Sequence, residues 1–164
     1  MRKLFEFPNP VNEVSARLVA GGVVALTLVI LLAHQPWLIA VLAYGFWARV
    51  LTGPTLSPLG QLVTRVVTPL VPAAPRNVPG PPKRFAQGIG ATLSSAAVVA
   101  HFAFGATTVA YVLVAMITAA ATLESVFAYC LGCKIFGLLM RLGIVPEEAC
   151  EACNDLSLRH PAAV

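Results

Sequence analysis

Four apolar runs, at about 15–34, 37–52, 85–104 and 107–129, constrain this chain more than any other feature. Each approaches the roughly 20 residues that an α-helix needs to cross the hydrocarbon core of a bilayer. Only 11% of the 164 residues are charged, against roughly 25% in an average soluble domain. A chain solvated largely by lipid is therefore expected: an all-α membrane protein, one domain over 1–164, with four transmembrane helices. The net charge of +4 is no nucleic-acid footprint, because the basic residues sit at the ends of apolar runs and read as membrane orientation. Residues 1–13 mix Arg2 and Lys3 with Glu6 and Glu13, and no small-residue cleavage site follows the first run. A retained first span is expected, not a removed signal peptide.

The breaks between runs set the connectivity. His34-Gln35-Pro36 ends the first run, and Trp37 opens the second at once. Proline cannot continue the helical hydrogen-bond ladder, so a tight helical hairpin is expected. The third and fourth runs meet near Gly105-Ala106 and predict a second hairpin. Between the hairpins, residues 53–84 differ in kind, since 53–82 hold eight of the 13 prolines and no spanning run. Within them Leu56, Leu59, Leu62, Val63, Val66, Val67 and Leu70 fall on one side of a helical wheel. That segregation predicts an amphipathic helix lying flat on the membrane, the alternative being a helix packed on a soluble core. Pro-Ala-Ala-Pro and Pro-Gly-Pro-Pro then predict a stiff extended connector that no helix enters. In the third run, Gly90 with Ser94 and Ala91 with Ser95 allow close helix approach, for which Gly21, Gly22 and Ala25 are the expected partners.

With four spans, all 11 basic residues fall on the side that holds both termini and the central connector, and the two tight turns carry none. The positive-inside rule makes that side cytoplasmic. The expected location is a bacterial inner (plasma) membrane, multi-pass, with both termini cytoplasmic and the lipid bilayer as the first partner.

Residues 130–164 then form a cytoplasmic cysteine-rich tail carrying all four thiols, Cys130, Cys133, Cys150 and Cys153. Structural disulfides are rare in that compartment, which leaves a metal site or reactive thiols. The pattern Cys-x2-Cys-x16-Cys-x2-Cys has the spacing of a four-thiolate zinc site. Its context favours thiol chemistry equally. If the last helix continues through Gly132, then Cys130, Cys133, Lys134, Gly137 and Arg141 share one face opposite Ile135, Phe136, Leu138, Leu139 and Leu142. Cations such as Lys134 and Arg141 lower a neighbouring thiol pKa, and the thiolate is the nucleophile. Cys150 and Cys153, beside Glu148, Glu151 and Asp155, would be the less acidic pair. A third reading has the cysteines simply packing at helix ends.

Glu124 lies inside the fourth run, where a carboxylate marks either a function or an internal partner. The alternative is a water-exposed residue near the cytoplasmic boundary, or one paired with an arginine such as Arg17 or Arg49. His34 reads as interfacial, and His101 as a hydrogen-bonding partner to a neighbouring helix. Gly88-Ile89-Gly90 lacks the rest of a phosphate loop.

Several stretches are distinctive together: Asn9-Pro10-Val11-Asn12-Glu13, Gly53-Pro54 through Ser57-Pro58-Leu59-Gly60, Pro81-Pro82-Lys83-Arg84-Phe85-Ala86-Gln87, and Glu124 through Cys130-Leu131-Gly132-Cys133. In this order they resemble the domain of unknown function 4395 family. The resemblance implies a bacterial, actinobacterial-type integral membrane protein, associated with thioredoxin-like and sulfur-transfer proteins. The family has no established activity.

Three functions follow as expectations. The first is a membrane-anchored dithiol protein, exchanging disulfides or relaying sulfur with a cytoplasmic thioredoxin-like or rhodanese-like partner and needing no cofactor. In it Cys130 attacks, Cys133 resolves, Cys150 and Cys153 relay, and Lys134 and Arg141 stabilise the thiolate. The second is a non-enzymatic module whose four cysteines hold zinc and shape a cytoplasmic docking surface. The third, transport of a small anion, draws on Glu124, Arg17 and Arg49. Homo- or hetero-oligomers fit any of these.

Overall fold

The structure is a computed structural model that describes residues 10–74 and 76–146. Helix α1 (Glu13–Ala33) starts where the Asn12 side chain accepts the Val14 N–H, with Glu13 in the first turn at the positive end of the helix dipole. It ends at His34, whose φ of 51° is left-handed. Helix α2 (Trp37–Thr52) begins directly after Pro36, and Gly53, at φ 63°, closes it with an N–H bonded to the Arg49 carbonyl.

Ser57 caps the next helical segment and Pro58 occupies its first turn, where no proline N–H is missed. That segment runs from α3 (Pro58–Leu62) through a π-helical turn at Val63–Val67 into α4 (Thr68–Leu70). The wide turn has a local cause. Pro69 has no N–H to give to the carbonyl one turn back, and immediately before it the Thr68 N–H reaches five residues back to Val63. The apolar face of this segment is divided between two neighbours. Val63 is buried and Leu59 packs against the core, whereas Leu62, Val66 and Leu70 point outward, Leu70 being 77% exposed.

The connector is not free-standing. Strand β1 (Val11–Asn12) pairs antiparallel with β2 (Asn77–Val78), Val11 opposite Val78. The Glu13 N–H bonds the Arg76 carbonyl, and the two side chains form an ion pair at 3.2 Å. Helix α5 (Gly80–Phe102) then takes in Gly80-Pro81-Pro82 as its first turn. The expectation that no helix enters Pro-Gly-Pro-Pro is thereby corrected, because the first turn is the one place where a helix tolerates proline. Helix α6 (Thr107–Phe127) follows, and α7 (Leu131–Arg141) is a separate element. Ala128 adopts φ 55° between α6 and α7, so the fourth helix does not continue through Gly132.

The helices pack as α2 on α5, α1 on α6 and α5 on α6, with α7 against α5. Ile30, Ile39, Leu42, Phe46, Ala91, Ala97, Ala110 and Val114 form the centre. The expected docking of Gly21 and Gly22 onto the third run is not what occurs. Gly21 faces Ser125 of α6, Gly22 faces Leu59 of α3, and Gly90 faces the Phe46 ring of α2. The small residues do bring helices close, but across different pairs.

A Cβ at Gly90 would collide with the Phe46 ring. Gly90→Leu should therefore destabilise the fold by about 1–3 kcal/mol through overpacking. The check is a lowered thermal midpoint in detergent, and an unchanged midpoint would contradict the α2–α5 packing.

Among the described residues two helices, α1 and α6, are long and apolar enough to cross a membrane, and only 28% and 22% of their most apolar windows are buried. A helix at the centre of a soluble domain would be mostly covered. Here Leu28, Val29 and Leu32 on α1, and Val109, Val112 and Met116 on α6, face outward.

Candidate dithiol site

Cys130 is the N-cap of α7, and its Sγ accepts the Cys133 N–H at 3.3 Å. The left-handed turn at Ala128 points the chain into a new helix, so the Cys-x-x-Cys pair spans the first turn of α7 and not the end of α6. Both cysteines are free. The Cys133 thiol donates to the Cys130 sulfur across 2.7 Å, and closing a disulfide to about 2.05 Å needs only a small movement.

Helix α7 is held in place by what it lacks. A Cβ on Gly132 would lie 2.5 Å from both the Cα and the Cβ of Ala86. The start of α7 thus rests backbone to backbone on the first turns of α5. Phe136, one turn on, is buried and meets the Phe85 ring with centroids 5.6 Å apart.

This docking brings an ion pair to the sulfurs. The Lys83 ammonium lies 2.5 Å from the Glu124 carboxylate, with side-chain exposures of 11% and 16%. Glu124, Gln87 and Cys130 line one cavity of about 250 Å³, walled otherwise by apolar side chains such as Phe46, Met116 and Ile117. The partners expected for Glu124 are replaced. Arg17 donates to the Ser125 and Val126 carbonyls and so closes the end of α6. Arg49 bonds Gln87 and Ser57.

The two thiols are driven apart in acidity. The Cys130 pKa is lowered, first by the hydrogen bond from the Cys133 thiol and then by the Lys83 ammonium, against burial and the Glu124 charge. The Cys133 pKa is raised by giving its proton to that same bond, by burial and by the charge on Cys130. Of the two, Cys130 is the thiol whose ionisation is favoured and Cys133 the one that keeps its proton.

The cation that reaches the thiols is Lys83, not the expected Lys134 and Arg141. The break at Ala128 reorients the segment, so the Lys134 ammonium lies 5.5 Å from the centroid of the Tyr129 ring. Arg141 sits in the last turn of α7 and is exposed. Lys83 had a partial signal in the sequence: the Lys83-Arg84 pair opens the third run, and Glu124 is the carboxylate near the matching end of the fourth. Gln87, one turn beyond Lys83, had only its place in the 81–87 stretch.

Cys150 and Cys153 lie outside the described residues. Among the described residues no three metal-ligating side chains converge. His34 meets Tyr111 with ring centroids 5.7 Å apart. His101 stacks edge-on with Phe102, and its Nδ1 makes no hydrogen bond among the described residues, so the bond expected to a neighbouring helix is not made by that atom.

Fold and site together define a helical protein with two helices fit to cross a membrane and a half-buried dithiol at the start of a short amphipathic helix. The chain belongs to the family described as Domain of unknown function (DUF4395), which matches residues 11–141. The matched region includes Lys83, Glu124, Cys130 and Cys133 but ends before Cys150 and Cys153. No curated protein and no solved structure matches the chain.

Proposed function

We propose that this is a four-span membrane protein, two helical hairpins with both termini in the cytoplasm, that works as a dithiol carrier at the membrane surface. For the topology, α2 supports a span despite its 16 residues, since Trp37, Val41, Tyr44, Trp47 and Leu51 all face outward. Its tryptophans and tyrosine suit the interfacial belts of a bilayer. The loops at 34–36 and 103–106 carry no Lys or Arg, and Leu62, Val66 and Leu70 offer an apolar edge to the headgroup layer. Impermeant thiol reagents applied to intact cells should leave the cysteines unlabelled until the membrane is opened. Labelling from outside would reverse the orientation.

For the chemistry, the supporting observation is the Cys133-to-Cys130 contact of 2.7 Å beside Lys83. The Cys130 thiolate attacks a partner's disulfide, forming a mixed disulfide and releasing one partner thiolate, which takes up a proton. Cys133 then gives up its proton and attacks the Cys130 sulfur. That step releases the second partner thiol and leaves Cys130 and Cys133 joined. The chain loses two electrons and the partner gains them; the reverse sequence returns them. With a persulfide donor of the rhodanese class, the Cys130 thiolate would attack the outer sulfur and form a Cys130 persulfide. The donor's S–S bond breaks and releases the donor thiolate, which takes up a proton. Cys150 and Cys153 serve as the relay pair in this reading.

The family match ends before the second pair, which favours a function vested in Cys130 and Cys133 over a four-cysteine zinc site. Metal analysis combined with thiol titration of detergent-purified protein tests this. Metal-free protein with a rapidly alkylated Cys130 is expected. One zinc per chain with all four thiols blocked would establish the docking module instead.

A further inference from the structure

A second cavity, of about 210 Å³, shares Gln87 with the dithiol cavity and is lined by Asn12, Ser15, Arg49, Thr64 and Lys83. Arg49 is the residue that needs an explanation there. It is 5% exposed, and a buried charge is retained only where it is paired and its donors are used. Its Nε donates to Gln87 Oε1 at 3.0 Å, its Nη1 to Ser57 Oγ at 3.3 Å, and its guanidinium lies 4.7 Å from the Phe46 ring centroid. Its Nη2 is buried with no hydrogen-bond partner among the described residues.

Glu124 is close enough for its charge to act on Arg49, but neither it nor Glu13 bonds the guanidinium. Glu13 is held by Arg76 at 3.2 Å, and Glu124 by Lys83. No Asp or Glu lines this cavity among the described residues, whereas two cations do. The Asn12 side-chain carbonyl is taken by the Val14 N–H, which leaves its amide group as a further donor. The hydroxyls do not compete, since Thr64 Oγ1 bonds the Gly60 carbonyl and Ser15 Oγ pairs with Thr68 Oγ1.

We propose that this cavity binds a small tetrahedral oxyanion, a phosphate- or sulfate-type group, seated on Arg49 with Lys83 and Asn12 alongside. A guanidinium with a free N–H suits such a group, because its planar fork matches oxyanion geometry. The same chemistry is carried by a free inorganic ion and by the headgroup of an anionic phospholipid. The site stands on Arg49 and its cavity and does not depend on the dithiol reading.

The test is thermal stability of the detergent-purified full chain with all cysteines alkylated. Inorganic phosphate is titrated at constant ionic strength in one arm, and dihexanoyl phosphatidylglycerol against dihexanoyl phosphatidylcholine in the other. A saturable rise with phosphate assigns the site to a free ion, and a rise with the anionic lipid alone assigns it to a headgroup. Either supports the proposal. Arg49→Met should abolish the rise. Ala16→Leu, which keeps Arg49 but fills a cavity wall, should weaken binding about ten- to a hundredfold, because an anion displaced by the added side chain forfeits a charge-assisted hydrogen bond to Arg49. Should Arg49→Met fail to fold, Ala16→Leu carries the test alone. No rise with either compound, or wild-type affinity in Ala16→Leu, overturns the proposal.

Discussion

Cys133→Ser should trap the partner that the proposed dithiol exchange requires. Mixed with an oxidised thioredoxin-like protein, this variant accumulates a mixed disulfide on Cys130, because no neighbouring thiol remains to displace the partner. Cys130→Ser should accumulate less, since burial still raises the Cys133 pKa even though the hydrogen bond to Cys130 and its charge are gone. In the wild type, Cys130 should be alkylated at least about tenfold faster than Cys133 at neutral pH, because thiolate falls tenfold for each pH unit below a pKa. The sign of the Lys83 effect is also defined. Its ammonium favours the Cys130 thiolate, so Lys83→Met should move the alkylation–pH profile of Cys130 to higher pH. Equal trapping by both serine variants, or an unmoved profile, would contradict the assigned roles.

The second large effect concerns the ion pair. Glu124→Leu leaves the Lys83 ammonium in a site where its side chain is 11% exposed, and removing one partner of a buried pair destabilises by about 3–5 kcal/mol. Residual exposure brings the expectation to the low end, about 3 kcal/mol. The double variant Lys83→Met with Glu124→Leu should recover most of that loss, since a buried pair exchanged for apolar groups is close to neutral. Thermal midpoints of the two singles and the double form a cycle that measures the coupling. A coupling near zero would show that the two side chains do not meet.

Much of the helical layout is legible from local chemistry. The Asn12 and Ser57 caps, the His34-Gln35-Pro36 break and the apolar runs each act within a few residues, and the helices lie where those signals put them. The Cys-Leu-Gly-Cys pair was equally visible as the first place to look. What escaped the sequence was set by tertiary packing. Nothing local says that Gly90 meets Phe46, and not a glycine of α1, or that Gly132 rests on Ala86. The left-handed turn at Ala128 falls on a residue with no bias towards positive φ, so a continuous helix was the natural expectation. That one residue moves the cationic role from Lys134 and Arg141 to Lys83. It also turns Cys130 from a position on a helix face into a helix cap.

Groups from three helices surround the Cys130 sulfur: the Lys83 side chain from α5, the Glu124 side chain from α6, and the thiol and backbone N–H of Cys133 from α7. The acidity of Cys130 is thus set first by Cys133 within the motif and then adjusted by the fold, Lys83 favouring the thiolate and Glu124 opposing it.

The most direct test is a redox titration of the full chain carrying Cys150→Ser and Cys153→Ser, equilibrated in glutathione buffers and read by alkylation and mass spectrometry. The predicted result is reversible conversion of Cys130 and Cys133 to a single intramolecular disulfide, with a two-electron slope of about 30 mV per decade. If no Cys130–Cys133 disulfide forms at any potential in the series, the dithiol account is wrong.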